Sequence, residues 1–244
     1  MDERIELIQG TPVEQPTTQT GITHANRGPA IPFKVFGLQR SGTNLMVALL
    51  TRNFHVHSLE HEAEWKHGPV RMPNRTWNGV PARFILCVKN PYAWVVSCYR
   101  YFQRSWQCDP TVAPQFQQNP SMPFDQFLRS PSYGFESPIH RWNQMHRLWL
   151  ATLPTARTQV VRQEDQLTQS REVLYRIERH LELQRLGADL RVIQERIDVN
   201  ARPSGPMNCD YYLNHDYIAA YSDNDLRLMD KILDRDVLGH LGYL

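Results

Sequence analysis

The clearest candidate for chemistry is a loop bounded by two glycines near residue 40. Gly37 and Gly42 enclose four residues, which is the glycine spacing of a phosphate-binding loop. The backbone N–H groups of such a loop, at the start of a helix, can hold an anion. Thr43 and Asn44 stand where an ATP-binding loop has its lysine and its magnesium-binding hydroxyl. The loop therefore predicts a phosphate site and disfavours a Mg-ATP kinase or ATPase.

The same loop brings its own charge and hydrogen-bond donors. Arg40 supplies the positive charge that the missing lysine would carry, and Ser41, Thr43 and Asn44 add side-chain donors. This combination favours a phosphate held without a metal ion. The alternative is an ordinary strand-to-helix turn, in which Gly42 only relaxes the backbone.

A second candidate phosphate site begins at Lys89. Asn90 and Pro91 are typical of the first turn of a helix. Ser97 then lies about two turns into that helix, on the side of Asn90. Lys89 and Ser97 can therefore hold one phosphate together. The alternative is that Lys89 is a solvated surface charge and Ser97 an ordinary helix residue.

Residues 61–68, between the two loops, are dense in groups that can accept a proton. His67 is the preferred base, because an ordinary histidine pKa of about 6.5 suits proton transfer near neutral pH. Glu62 and Glu64 are the alternatives, and Lys66 can stabilise a leaving group. We predict no metal site, since the neighbouring histidines have loose spacing and no cysteine joins them.

Each of these loops requires a strand before it and a helix after it. Short apolar runs predict strands over 33–38, 83–88 and 157–162. Helices are predicted over 41–53, from Asn90, from Ser137, through Leu174 to a C-cap near Gly187, and from Ser222 as the last helix. The alternation predicts an α/β protein: a three-layer, P-loop-like fold with a central parallel sheet flanked by helices. Ligands of such sheets bind at the carboxyl ends of the strands.

Composition limits the organisation and the function class. The chain has 244 residues, and we expect a flexible N-terminal segment over 1–32 and one domain over 33–244. Its 27 basic and 25 acidic residues leave it nearly neutral, which argues against nucleic acid as a partner. No apolar run has the roughly 18 residues of a membrane span. The four cysteines are scattered, which favours reduced thiols in a cytoplasmic protein.

The two loops together resemble the nucleotide-binding motifs of sulfotransferases that use 3′-phosphoadenosine 5′-phosphosulfate (PAPS). The 5′-phosphosulfate loop of that family reads roughly P-[KR]-S-G-T-T-x-L. Matching residues here are Arg40, Ser41, Gly42 and Thr43, whereas Gln39 and Asn44 replace the proline and the second threonine. The 3′-phosphate motif, R-[DN]-P-x-x-x-x-x-S, is similar to 89–97, with Lys89 in place of arginine.

Weaker matches extend the resemblance to the rest of 33–244. Lys66-His67 looks like a shortened K-T-H motif, in which the lysine acts on the leaving group and the histidine is the base. Gln163 stands where the family has a tyrosine near the adenine, and Arg202 can belong to the late basic loop over the 3′-phosphate. Residues 241–243 resemble a frequent L-G-Y ending.

The resemblance implies sulfuryl transfer from PAPS, without a metal, to a hydroxyl or amine. The acceptor class is left open as a small molecule, glycan, lipid or peptide. Aromatic residues within 103–137 can line its site, although core packing is the favoured interpretation. Two alternatives stay open: a P-loop small-molecule kinase, and a non-catalytic nucleotide-binding or scaffold protein. The scaffold alternative is supported by the positions that differ from the family motifs, Gln39, Lys89 and Gln163.

Overall fold

The computed structural model describes residues 28–62, 64–105, 119, 121–197 and 203–244. The strands are β1 Ile31–Phe36, β2 Val56–Ser58, β3 Thr76–Trp77, β4 Val80–Pro81, β5 Arg83–Val88, β6 Thr158–Arg162, β7 Glu195–Ile197 and β8 Pro203–Pro206. The helices are α1 Thr43–Asn53, α2 Pro91–Ser105, α3 Phe124–Arg129, α4 Pro138–Thr152, α5 Gln163–Thr168, α6 Ser170–Leu181, α7 Cys209–Leu213, α8 Asp223–Ile232 and α9 Arg235–His240. Most of the predicted N-terminal segment and Arg202 lie outside the described residues.

A parallel sheet of four strands forms the centre, in the order β2-β1-β5-β6. Its three longer strands are those predicted from the sequence. The strand over 83–88 matches its predicted bounds, whereas β1 begins at Ile31, two residues before the predicted start of the domain. Two small antiparallel pairs, β3-β4 and β7-β8, lie outside this sheet.

Apolar side chains of the central strands alternate between two cores. Leu86 of β5 packs with α2, α4, α8 and α9, while Ile85 packs with α1 and α6. Because successive strand residues point to opposite faces, each face needs its own layer of helices. This arrangement confirms the predicted α/β fold with a central parallel sheet flanked by helices.

The predicted helix starts at Asn90 and Ser137 are confirmed by their capping contacts, whereas α1 begins at Thr43, two residues after its predicted start. Asn90 Oδ1 accepts hydrogen bonds from the backbone N–H groups of Tyr92 and Ala93 at the start of α2. Ser137 Oγ accepts one from the N–H of His140 at the start of α4. Such caps satisfy N–H groups that have no partner within the helix.

Two other predictions about the helices are wrong: one helix end, and the position of the last helix. The α6 helix stops at Leu181, and Glu182, not Gly187, takes the left-handed conformation, with a φ of 55°. This early turn buries Leu183 in the core. The helix capped by Ser222 is followed by α9, because Asp234 accepts hydrogen bonds from two further N–H groups and starts a new helix.

Among the residues that the structure describes, no helix is both long and apolar enough to cross a lipid bilayer.

Candidate functional site

The predicted loops meet at the carboxyl edge of the central sheet. The chain leaves β1 through residues 37–42, β5 through Lys89, and β6 directly into α5. From β1 the chain passes through α1 to β2 on one side, while β5 lies on the other side. A crevice outside strands that diverge in this way is the usual ligand site of open α/β sheets. A cavity of about 840 Å³ lies here.

The first loop has the tight backbone that an anion site requires. A Cβ atom on Gly37 would lie 2.4 Å from the carbonyl oxygen of Cys87, so only glycine fits beside β5. Arg40 and Gly42 both take the left-handed conformation, with φ of 72° and 83°. Gly42 then begins α1, whose free N–H groups and dipole favour a bound anion.

Most of the predicted binding residues line this one cavity. They are Arg40, Gly42, Thr43, Asn44, Lys89, Ser97 and Gln163. Two others do not line it. Ser41 Oγ donates its hydrogen bond back to the carbonyl of Leu38 at 2.6 Å and so stabilises the loop. The side chain of Gln39 contacts Tyr133 and Arg141.

Further arginines surround the same space, and the motifs did not reveal them. Arg100 and Arg196 line the main cavity, and Arg104 lines an adjoining cavity of about 440 Å³ that also contains Arg40, Arg100 and Arg196. No acidic residue lines either cavity within the described part of the chain. This separation of charge, in a nearly neutral chain, favours binding of an anion. Helical spacing from Ser97 is the signal that predicts Arg100 and Arg104.

Two tyrosines of α7 contact two cations of the cavity, Lys89 and Arg100. Lys89 Nζ donates to the hydroxyl of Tyr212 at 3.0 Å, and Arg100 Nη1 donates to that of Tyr211 at 3.0 Å. Each cation also lies over the ring of the tyrosine to which it donates, Lys89 over Tyr212 and Arg100 over Tyr211. Lys89 is buried, with 1% of its surface exposed, and has no carboxylate partner among the described residues. Its charge is therefore free to act on a ligand.

Lys66 reaches the loop from the segment between the motifs. Its Nζ atom donates to Asn44 Oδ1 at 2.7 Å and lies 3.0 Å from Glu60 Oε2. The other oxygen of Glu60 lies 3.7 Å from the Nζ atom of buried Lys34. Glu60, which the motif analysis did not include, thus joins two lysines and positions the one that contacts the loop.

His67 lies against the beginning of the same loop. Its Nδ1 atom donates to the carbonyl of Gly37 at 2.5 Å, which leaves Nε2 as the proton-accepting atom. Burial lowers the pKa of His67 to about 4, with the positive charges of Lys66 and Arg141 acting in the same direction. The imidazole is therefore neutral at pH 7, as a base must be.

The two glutamates that were alternatives for the base are engaged elsewhere. Glu62 lies 2.7 Å from His57, at the surface. Glu64 accepts hydrogen bonds from the N–H groups of Arg71 and Met72. Burial opposes ionisation of Glu64, but backbone hydrogen bonds outweigh it and lower its pKa. His67 is the candidate base that contacts the loop.

Hydrogen bonds of Glu164 and Arg162 connect the site to residues 242–243. Glu164 accepts hydrogen bonds from the N–H of Asn90 at 2.9 Å and from the hydroxyl of Tyr243 at 3.0 Å. Arg162 Nη1 donates to the carbonyl of Gly242 at 2.8 Å. Tyr243 therefore holds the backbone next to Lys89 through Glu164, and Gly242 holds Arg162 at the end of β6.

Comparison with known proteins gives a similarity of fold. No family model matches the chain, and no curated protein matches it. The chain is similar to a solved sulfotransferase domain from the curacin biosynthetic pathway, with 12% sequence identity and a TM-score of 0.40. The alignment covers 90% of this chain and 99% of that domain. This similarity assigns no residue and no substrate.

Replacing Glu60 is expected to destabilise the protein. In Glu60→Gln, the buried ammonium of Lys34 loses its carboxylate, so the free energy of unfolding falls by about 3 kcal/mol. Urea denaturation measures this loss, and Lys34→Met in the same background is expected to restore part of it. Glu182→Gln is the control, because its carboxylate is 82% exposed and its pair with Arg83 is worth less than about 1 kcal/mol. Equal losses in both single variants would contradict the role of Glu60.

Proposed function

We propose that this chain is a sulfotransferase, which transfers a sulfuryl group from PAPS to a hydroxyl or amine acceptor. The observation that carries the proposal is the joint lining of one cavity by the glycine loop, Lys89 and Ser97. Its described lining has four basic and no acidic residues. Two separate phosphate sites fit a nucleotide that carries phosphates on both its 3′ and 5′ oxygens.

The first loop is assigned to the 5′-phosphosulfate. Arg40 supplies a guanidinium, Thr43 a hydroxyl, and the start of α1 its backbone N–H groups. The 3′-phosphate is assigned to Lys89, Ser97 and Arg100, since all three line the cavity on or next to α2. Charge-assisted hydrogen bonds of this kind are about twice as strong as neutral ones.

The adenosine is assigned to the part of the cavity between α1, α5 and the β7-β8 pair. Apolar surface comes from Leu45, Leu167, Ile197 and Met207. Gln163 Oε1 is buried and has no hydrogen-bond partner among the described residues. A buried acceptor of this kind needs a donor, and the amino group of an adenine supplies one.

The transfer itself requires charge stabilisation and one proton acceptor. His67 Nε2 takes the proton of the acceptor group as its oxygen or nitrogen forms a bond to sulfur. The bond between sulfur and the bridging phosphate oxygen breaks at the same time. Lys66 and Arg40 stabilise the negative charge on that leaving oxygen. As in phosphoryl transfer, positioning and electrostatics supply most of the catalysis.

Metal-free binding of the expected product tests the proposal. Calorimetric titration with adenosine 3′,5′-bisphosphate, in the presence of a chelator, is expected to show one tight site. ATP with magnesium is the comparison, because Lys66 brings an ammonium to Asn44 and so gives the kinase alternative one favourable feature. Preference for Mg-ATP would overturn the sulfotransferase proposal. Binding of the bisphosphate without release of product from PAPS, in any acceptor mixture, would favour the scaffold alternative.

A further inference from the structure

A buried arginine lies beside the first loop without an acidic partner. Arg141 of α4 has 2% of its surface exposed, and its Nη2 atom donates to Gln39 Oε1 at 3.2 Å. Its Nη1 atom is also buried, with no hydrogen-bond partner among the described residues. No carboxylate pairs with this guanidinium in the described part of the chain. A buried cation without a carboxylate is unfavourable, and an anion bound to this guanidinium would offset that cost.

One aromatic side chain stacks on this guanidinium. The Arg141 guanidinium lies 4.0 Å from the centroid of the Tyr133 ring, and Tyr133 is itself 41% exposed. Tyr133 and Gly134 both take left-handed conformations in an exposed turn, with φ of 51° and 81°. The Tyr133 hydroxyl accepts a hydrogen bond from Gln39 Nε2 at 3.3 Å. Displacement of this ring would remove the aromatic group that stacks on the Arg141 guanidinium.

The position of Arg141 relates it to the reacting groups. His67 contacts the carbonyl of Gly37, and Arg141 contacts the side chain of Gln39, two residues further along the loop. Arg40, the next residue, lines both cavities. The loop therefore contacts the candidate base at Gly37 and the buried guanidinium at Gln39. Arg40, the cation of the proposed phosphosulfate site, is the next loop residue.

Aromatic rings continue from this loop to Tyr133. Arg40 lies 5.3 Å from the ring centroid of Tyr101, and the rings of Phe102 and Tyr133 are 5.9 Å apart. Tyr101 also lines the smaller cavity. A planar ring bound in that cavity can pack against Tyr101.

We propose that Arg141 binds a carboxylate or sulfate group of the acceptor, so that the preferred acceptors are anionic hydroxyl compounds. This inference rests on the proposed function and names the substrate class of the same site. The anion accepts hydrogen bonds from Arg141, including the one that Nη1 lacks, and Tyr133 moves aside. A planar guanidinium suits both groups, since its N–H donors match two oxygens of one anion.

Binding of three small phenols to the protein saturated with adenosine 3′,5′-bisphosphate tests this site. The probes are 4-hydroxybenzoate, 4-hydroxybenzenesulfonate and the neutral 4-hydroxybenzamide, measured by calorimetry. At least one anion is expected to bind about tenfold more tightly than the amide. The carboxylate and sulfonate arms show which anion the site prefers.

Variants at Arg141 and Tyr133 assign the preference to this position. Arg141→Met is expected to abolish it, while Arg147→Met, an exposed change on the same helix, is expected to keep it. Equal binding of all three probes, or an intact preference in Arg141→Met, would overturn the inference. If Arg141→Met does not fold, Tyr133→Gly decides: it suits the left-handed backbone, and the anions are then expected to bind at least as tightly as before.

Failure of this inference can be distinguished from failure of the proposed function. Saturation with the bisphosphate is measured first, and its absence would overturn the nucleotide assignment. The same three probes are then titrated into the unliganded protein, where the Arg141 site still predicts a preference for the anions. If the unliganded protein bound the anions no more tightly than the amide, the inference about Arg141 would also be overturned.

Discussion

Adenosine 3′,5′-bisphosphate is expected to bind Arg40→Met and Lys89→Met about 10- to 100-fold more weakly than the unaltered protein. Each change removes one charged donor from the cavity lining, and a hydrogen bond to a charged group is worth about 1.5–3 kcal/mol. Methionine keeps most of the side-chain volume, so that packing around buried Lys89 is largely preserved. Calorimetry in the presence of a chelator measures both dissociation constants.

A second nucleotide separates the two phosphate sites. Adenosine 5′-monophosphate lacks the 3′-phosphate, so Lys89→Met is expected to leave its affinity unchanged, whereas Arg40→Met lowers it. Arg179→Met, a change of an exposed side chain on α6, is the control for a general change of charge. If both nucleotides lost affinity equally in Lys89→Met, the assignment of Lys89 to the 3′-phosphate would be wrong.

The largest expected effect on turnover follows from His67→Ala. Loss of a positioned base lowers rates by about 10²–10⁴-fold. The rate is measured as release of adenosine 3′,5′-bisphosphate from PAPS, with any hydroxyl acceptor that the protein sulfates. The bisphosphate affinity is expected to stay unchanged, because His67 does not line the cavity. His240→Ala is the matched control, since its Nδ1 atom also bonds a backbone carbonyl, at 2.8 Å.

The pH dependence of turnover gives the same prediction a second measurement. Burial lowers the pKa of His67 to about 4, so the neutral base is present above that value and is lost as the pH falls through it. The rate is therefore expected to stay level between pH 8 and about pH 5, where an ordinary histidine base with a pKa of about 6.5 would already be protonated. A tenfold decline between pH 7 and pH 5.5, or a loss below tenfold in His67→Ala, would remove His67 from the base role.

The elements that carry local signals could be predicted from the sequence. β5 is a six-residue apolar strand, and Asn90 and Ser137 cap the helices that they were expected to cap. These signals involve only a few neighbouring residues, so they can be recognised in a single sequence without any knowledge of the fold. The cavity lining by Arg40, Lys89 and Ser97 followed from the same local patterns, because parallel strands end at a common edge.

The rest of the site depends on contacts between distant residues. Tyr212 holds Lys89 across 123 positions, and Arg196 enters from β7, which has no apolar periodicity. Glu60 acts only through Lys66 and Lys34, which tertiary packing brings to it. Local patterns likewise cannot show that the Ser41 hydroxyl turns back into its own loop.

The bridge from Glu164 to Tyr243 has a consequence for the synthesis of the protein. Glu164 also holds the backbone N–H of Asn90, next to Lys89, and Tyr243 follows Glu164 by 79 residues. On the ribosome, the strands and both phosphate loops emerge well before this tyrosine does. The nascent chain can begin to form its sheet early, since domains fold as their residues become available. The proposed 3′-phosphate site, however, reaches its final form only when Tyr243 has left the exit tunnel.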